Sequence, residues 1–229
     1  NKPLAALKVN PGPANSVHVR CGSDILEDLE SAGLPGTFLE WSDPVSQGPL
    51  PATDDSAAFA AARARFLAAG YRLNEDKVRE ALLASDAALD RAVVEAGEIV
   101  LWFEHDLYDQ AVLARLLARV GDAAAGRLTL VTLDDHPSVD RFIGLGQLSP
   151  DALAGLYPAR APVGPAAVEA ARRVWRGMRG DDPQALEATL DGELPGLPYM
   201  RAAMRRFLAD YPGADDGLAE TERLILHAV

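Results

Sequence analysis

The chain has 229 residues, 48 % of them hydrophobic, enough to fill a real core in one large or two modest domains. Lys and Arg number 22 against 34 for Asp and Glu, and the formal net charge of -12 argues against a general nucleic-acid or anionic-membrane surface while leaving room for a local basic patch. Cys21, the single cysteine, excludes an internal disulfide framework and fits a reducing cytoplasm, and no apolar stretch approaches the ~20 residues needed to cross a bilayer.

Residues 1–15, with Pro3, Pro11, Gly12 and Pro13, have neither a signal-peptide core nor periodicity and read as a loose leader. Ser16 to Arg20 alternates as a strand does, Cys21-Gly22-Ser23-Asp24 is a turn, and Ile25, Leu26 and Leu29 have helical spacing before a stop at Gly33. Gly36 to Trp41 predicts a second strand, which leaves through Ser42-Asp43-Pro44 and the loop Gln47-Gly48-Pro49. Two helices are expected next, over about 56–69 and 75–96, the second opened by Asn74 with acids in its first turn. The unbroken apolar run Ile99 to Phe103 predicts a strand buried on both faces. It stops at Glu104-His105-Asp106, just before an amphipathic helix whose inner face is Val112, Leu113, Leu116 and Leu117. Arg127 to Leu133 predicts a fourth strand, ending in Asp134-Asp135-His136-Pro137. Beyond it lie helical patterns over 149–156, 165–178, 183–190, 198–209 and from 217 onward, several of them opened by Pro.

Strands separated by helices of this length call for parallel pairing. The expected fold is therefore three-layer α/β, with a mainly parallel, Rossmann-like sheet over residues 16–148, followed by a small all-helical domain over 149–229.

In open α/β sheets the carboxyl ends of the strands form the ligand crevice. Four strand exits would bring Asp24, then Glu40 and Asp43, then Glu104 and Asp106, then Asp134 and Asp135 to one rim. Carboxylates that converge repel unless they share a cation, and oxygen ligands suit Mg²⁺ or Mn²⁺, so Asp24, Glu104, Asp106 and Asp134 are the candidate metal ligands. The competing reading is that Asp24, Asp106 and Asp134 are helix or turn caps, each worth about 1 kcal/mol. Gly22, Ser23, Asp24 and Asp43 are candidates for cradling a ligand or cofactor, and His105, Glu104 and His136 for moving protons. Ser23, His136 and Asp134 can also be drawn as nucleophile, base and orienter, although Ser23 lacks the glycines of a nucleophile elbow. Cys21 is either a reactive thiol or a small buried hydrophobe. Trp41 and Trp102 should pack in the core, each with an N–H needing a partner.

Several segments together resemble a family of bacterial proteins known as domain-of-unknown-function family 1835, often with a small helical companion at the C-terminus. They are Val17-His18-Val19-Arg20-Cys21-Gly22-Ser23-Asp24, Glu40-Trp41-Ser42-Asp43-Pro44 with Gly48-Pro49, and Leu101-Trp102-Phe103-Glu104-His105-Asp106 with Asp109-Gln110. In the C-terminal part they are Leu197-Pro198-Tyr199 through Arg205-Arg206, then Asp216-Gly217-Leu218-Ala219-Glu220-Thr221-Glu222. The family's first turn looks like Gly-Asp-Ser, where this chain has Gly22-Ser23-Asp24. The resemblance implies a fold and a domain layout, and no activity comes with it.

Two functions are compatible with these residues. One is a metal-dependent hydrolase or transferase acting on a phosphorylated or nucleotide-like small molecule. The other is a non-catalytic sensor or regulator whose α/β crevice binds a small ligand and whose helical domain contacts nucleic acid or a protein. Arg172, Arg173, Arg176 and Arg179 around Trp175 make one helix locally basic, suited to a phosphate backbone or, in so acidic a chain, to intramolecular pairing. Gly217 to Leu226 resembles the opening helix of a helix-turn-helix unit. With the later Val229 it offers an apolar face, and Leu224 and Ile225 are expected to pack beneath Met204 and Phe207, leaving this chain alone an unlikely DNA binder.

Overall fold

The computed structural model describes residues 15–228, so the expected leader, Asn15 apart, and Val229 lie outside the described residues. Five strands form one sheet in the order β2-β1-β3-β4-β5. The strands β1 (Ser16–Arg20), β2 (Thr37–Glu40), β3 (Glu98–Trp102) and β4 (Leu128–Val131) run parallel, and β5 (Ala161–Pro162) closes the edge antiparallel. A two-residue strand ending in proline gives no alternation to read in the sequence, and an edge is where proline is tolerated in a sheet.

β3 lies in the middle of the sheet and, as expected, is buried on both faces. All five of its residues are buried, and they alternate between two cores. Ile99 and Leu101 face one hydrophobic cluster, Val100 and Trp102 the other. The second cluster lies under α1 (Leu26–Ser31) and α5 (Pro150–Leu156) through Leu29, Leu153 and the fully buried Tyr157. The first lies under α3 (Glu75–Glu95) and α4 (Leu107–Val120). Ten residues of α4 are buried, because the helix is covered by the sheet on one side and by later helices on the other.

Those later helices are α6 (Pro165–Met178), α7 (Pro183–Asp191) and α8 (Met200–Leu208). Val168, Val174, Leu186, Met200 and Met204 belong to the same cluster as Leu101 and Leu113. The core is therefore continuous across residue 148, where the sequence suggested a boundary between an α/β and a helical domain. α2 (Ser56–Tyr71) is capped by Asp55, which accepts from Ala57 N at 2.8 Å, and pairs with α3 through Ala60, Leu67 and Leu82.

The C-terminal helix α9 (Glu220–Ala228) departs from expectation. Leu224, Ile225 and Leu226 are 54, 58 and 64 % exposed rather than packed beneath Met204 and Phe207. The helix is held at its start by polar groups: Thr221 Oγ1 donates to Asp210 at 2.9 Å, and Arg206 donates to Thr221 at 2.6 Å. Among the described residues, no helix is long and apolar enough to cross a membrane.

Candidate functional site

Since β1 is flanked by β2 on one side and β3 on the other, the chain reverses direction across the sheet between β1 and β3. Their parallel carboxyl ends open on the same rim, at a switch point where α/β sheets bind ligands. Arg20 ends β1, Glu104 follows β3 by two residues, and both are buried.

Arg20 organises this rim. Its Nε and Nη2 donate to the two oxygens of Asp24 at 2.6 and 2.9 Å, and Nη2 also donates to Glu104 Oε1 at 2.6 Å. Its Nη1 donates to Asp109 Oδ2 at 3.2 Å and to the Trp102 carbonyl at 3.3 Å. Asp24 is thus an arginine partner and not the expected helix cap; α1 begins at Leu26 with no side-chain cap. Asp106 does cap α4, accepting from Asp109 N at 3.0 Å. Asp109 also accepts from Glu104 N and from the Cys21 thiol, both at 2.6 Å.

The rim carries four carboxyl groups, three of them on one guanidinium, and the electrostatics follow. Burial pushes Glu104 up to about 7, with Asp109 and Asp106 adding to the rise and Arg20 opposing it. Asp109 is raised for the same first reason, burial, against the pull of Arg20. At Asp24 burial also acts upward, but the hydrogen bonds and charge of Arg20 outweigh it and hold the carboxyl below its ordinary value. Cys21 is buried and its thiol is pushed far up by burial and by Asp109, so it belongs to the core as a small hydrophobe and not as a reactive thiolate.

A loop following β4 closes over the acids. Leu145 N donates to Glu104 Oε1, and the Gly146 amide donates to Asp24. A Cβ at position 144 would come within 3.0 Å of Glu104 Oε2, and one at position 146 within 2.8 Å of Asp24 Oδ2, so glycine permits the close approach at both. Glu104, Asp106 and Asp109 each offer an oxygen within 4.8 Å of the others, a group able to hold a metal ion. Oε2 of Glu104 and Oδ2 of Asp106 accept no hydrogen bond from the described residues.

The remaining candidates divide. His105 lies beside this triad, with ring centroids 6.0 Å from Phe142 and 6.2 Å from Tyr199, and its buried Nδ1 has no hydrogen-bond partner. Tyr199 donates to Asp134 at 2.9 Å, so Asp134 comes to the same side of the site as His105 without joining the triad. His136 Nδ1 is taken up within its own turn by Ser138, 2.7 Å from its Oγ. Ser23 is exposed, and no hydrogen bond among the described residues joins it to His136 or Asp134, so the nucleophile, base and orienter arrangement does not form. Gly22 lies against Asp24 in the turn. Asp43 turns away: buried, it holds Arg63 at 2.7 Å and Arg115 at 3.1 Å, and Arg63 ties down the carbonyls of Pro44, Gln47 and Pro49.

Arg20, Asp109 and Tyr199 belong to the site and were not among the residues read as functional. The available signal was an acid three residues after Asp106 on one helix face; Arg20 shares its strand face with Ser16 and His18, opposite the apolar Val17 and Val19, so alternation does not single it out. Comparison with protein-family models, curated proteins and solved structures gives no match for this chain.

Proposed function

We propose that the crevice between the carboxyl ends of β1 and β3 is a divalent-cation site serving hydrolysis or transfer on a phosphorylated small molecule. The observation that carries this reading is the approach of Glu104, Asp106 and Asp109 to within 4.8 Å of one another, with a single arginine to offset them and Asp24. Acids packed this closely gain from a shared cation, and Mg²⁺ or Mn²⁺ suits an all-oxygen set. When bound, such an ion would polarise a phosphoryl oxygen. Of this chain's own groups, Arg20 orients Asp24 and Glu104, Asp109 braces the backbone of Glu104, and His105, with its unpartnered Nδ1, is the group free to accept or return a proton.

The resemblance to family 1835 supports the layout of this reading and adds no chemistry. A cation that binds only the folded chain must raise its melting temperature. Millimolar Mg²⁺ or Mn²⁺ is expected to do so against EDTA at constant ionic strength, and Glu104→Gln to abolish the rise. Identical melting in both conditions would sink the cation site.

A second reading, a non-catalytic sensor, is favoured by the way Arg20 and the 144–146 loop already satisfy Glu104 Oε1 and Asp24. In that case a ligand would act by moving the loop, and melting would be indifferent to divalent ions.

A further inference from the structure

Along the flank of α4, remote from the acidic rim, a cavity of about 290 Å³ lies between residues 53–56, the start of α2, α3, α4 and α6. Its α4 residues, Arg115 and Arg119, are nine to thirteen positions beyond Asp106, about 14 to 20 Å along the helix axis. Arg179, the C-cap of α6, completes a wall of three guanidinium groups, faced by the rings of Phe59 and Trp175.

Arg115 and Arg119 are ion-paired, and Arg179 is the cation of this wall with no carboxylate of its own among the described residues. Arg115 is 8 % exposed and stacks between Trp41 and Phe59, its Cζ 4.5 and 4.6 Å from the ring centroids. It reaches Asp43 at 3.1 Å and Asp86 only at 3.3 Å. Burial holds it below the usual arginine range, with Asp86 and Asp43 opposing and Arg119 and Arg63 reinforcing. Asp86 also serves Arg119 at 3.3 Å and the Trp41 N–H at 3.0 Å. Arg119 further holds Asp90 at 2.8 Å and donates to Ser56 Oγ at 3.2 Å. Arg179 donates to the carbonyls of Pro51 and Thr53 at 3.0 and 3.1 Å and has no carboxylate partner among the described residues. Of the other acids lining the cavity, Asp55 is committed to the amides of Ala57 and Ala58, and Asp54 lies exposed.

We propose that this cavity binds a small monophosphate with an apolar or aromatic body, its phosphate between Arg119, Arg179 and Ser56 and its body against Trp175 and Phe59. The guanidinium groups of Arg119 and Arg179 beside the Ser56 hydroxyl match a phosphate's oxygens, and the ring wall explains why the cavity is not lined by charge alone. Its volume, just under the usual range for drug-sized ligands, restricts it to a small one. Asp54 disfavours a more highly charged diphosphate. This site stands apart from the cation reading and does not depend on it.

Phenyl phosphate is the probe, followed by tryptophan fluorescence and melting temperature of the full chain, with NaCl holding ionic strength constant. A saturable response is expected, at least about tenfold tighter than for inorganic phosphate because the ring adds contact area. Arg179→Gln should weaken it at least about tenfold, and Glu104→Gln should leave it unchanged. If Arg179→Gln does not fold, Ser56→Ala keeps Arg179 on its carbonyls and should weaken binding about three- to tenfold. No saturable response of the unaltered chain at millimolar probe overturns the proposal. So does loss of binding in Glu104→Gln, or unaltered affinity in whichever of Arg179→Gln and Ser56→Ala is folded.

Discussion

A carboxyl group buried beside two other acids titrates as its neighbours dictate, and at Glu104 burial, Asp109 and Asp106 together carry the value from 4.5 to about 7. Because the folded value lies above the unfolded one, the associated stability is full below pH 4.5 and is lost as pH rises through about 7. At 1.36 kcal/mol per pH unit, the rise from 4.5 to about 7 corresponds to roughly 3 kcal/mol. His18 works in the opposite direction. Its Nε2–H donates to the Pro35 carbonyl at 3.1 Å and its Nδ1 accepts from Trp102 Nε1 at 3.0 Å, which requires the neutral ring. Burial lowers its value from 6.5, so its contribution is full above pH 6.5 and fades as pH falls below it. Glu104→Gln keeps an oxygen for Arg20 and Leu145 without a titrating group. Urea melts should therefore find this variant more stable than the parent at pH 8, with the gap narrowing at pH 5; a gap independent of pH would contradict the raised value. For His18→Gln the loss relative to the parent should be larger at pH 8 than at pH 5.

At the scale of elements, the exit of β2 is joined to α2 and α4 by charge buried in the core. Arg63 is fully buried and its guanidinium meets Asp43 and three backbone carbonyls. Without Arg63, Asp43 keeps Arg115 alone and three buried carbonyls lose their donor, so Arg63→Met should cost about 3 to 5 kcal/mol in urea unfolding. Arg79→Met, which breaks an exposed pair with Asp76 within α3, should cost at most about 1 kcal/mol. Equal losses would mean that Arg115 alone satisfies Asp43 when Arg63 is gone. The basic helix α6 is likewise used internally: Arg173 donates to the Glu193 carbonyl at 3.0 Å, and Arg179 reaches across to the loop before α2.

Across the whole molecule, one hydrophobic cluster runs from Val19 and Leu101 through α4 to Val174 and Met204. Helices that share a core with the sheet cannot leave it without exposing both surfaces, so heating should produce one cooperative transition. Far-ultraviolet dichroism, which follows all the helices, and tryptophan fluorescence should give coincident melting curves. Two separated transitions would mean that residues 149–228 fold as a unit of their own.

Local pattern was sufficient for much of this protein. The apolar run Ile99 to Phe103 announces a strand buried on both faces, and Asn74 and Asp106 announce the starts of two helices, because these signals act between neighbours in the chain. Glu104 and Asp106 were legible as members of the candidate site because they follow that strand. Long-range pairing was not legible. Nothing in the spacing of Arg20, Asp24, Glu104 and Asp109 says that one guanidinium meets three carboxylates, nor that Asp43 finds Arg63 and leaves the rim. The same holds for α9, whose apolar face predicts a contact while its polar start, bound to Arg206 and Asp210, sets its direction. Sequence alone determined the four parallel strands, most of the helices and the acids that follow the strands, since each depends on a few adjacent residues. Only the tertiary structure decided which acids come close enough to hold a cation, which share an arginine and which helices complete the sheet's core, since those depend on groups brought together from distant parts of the chain.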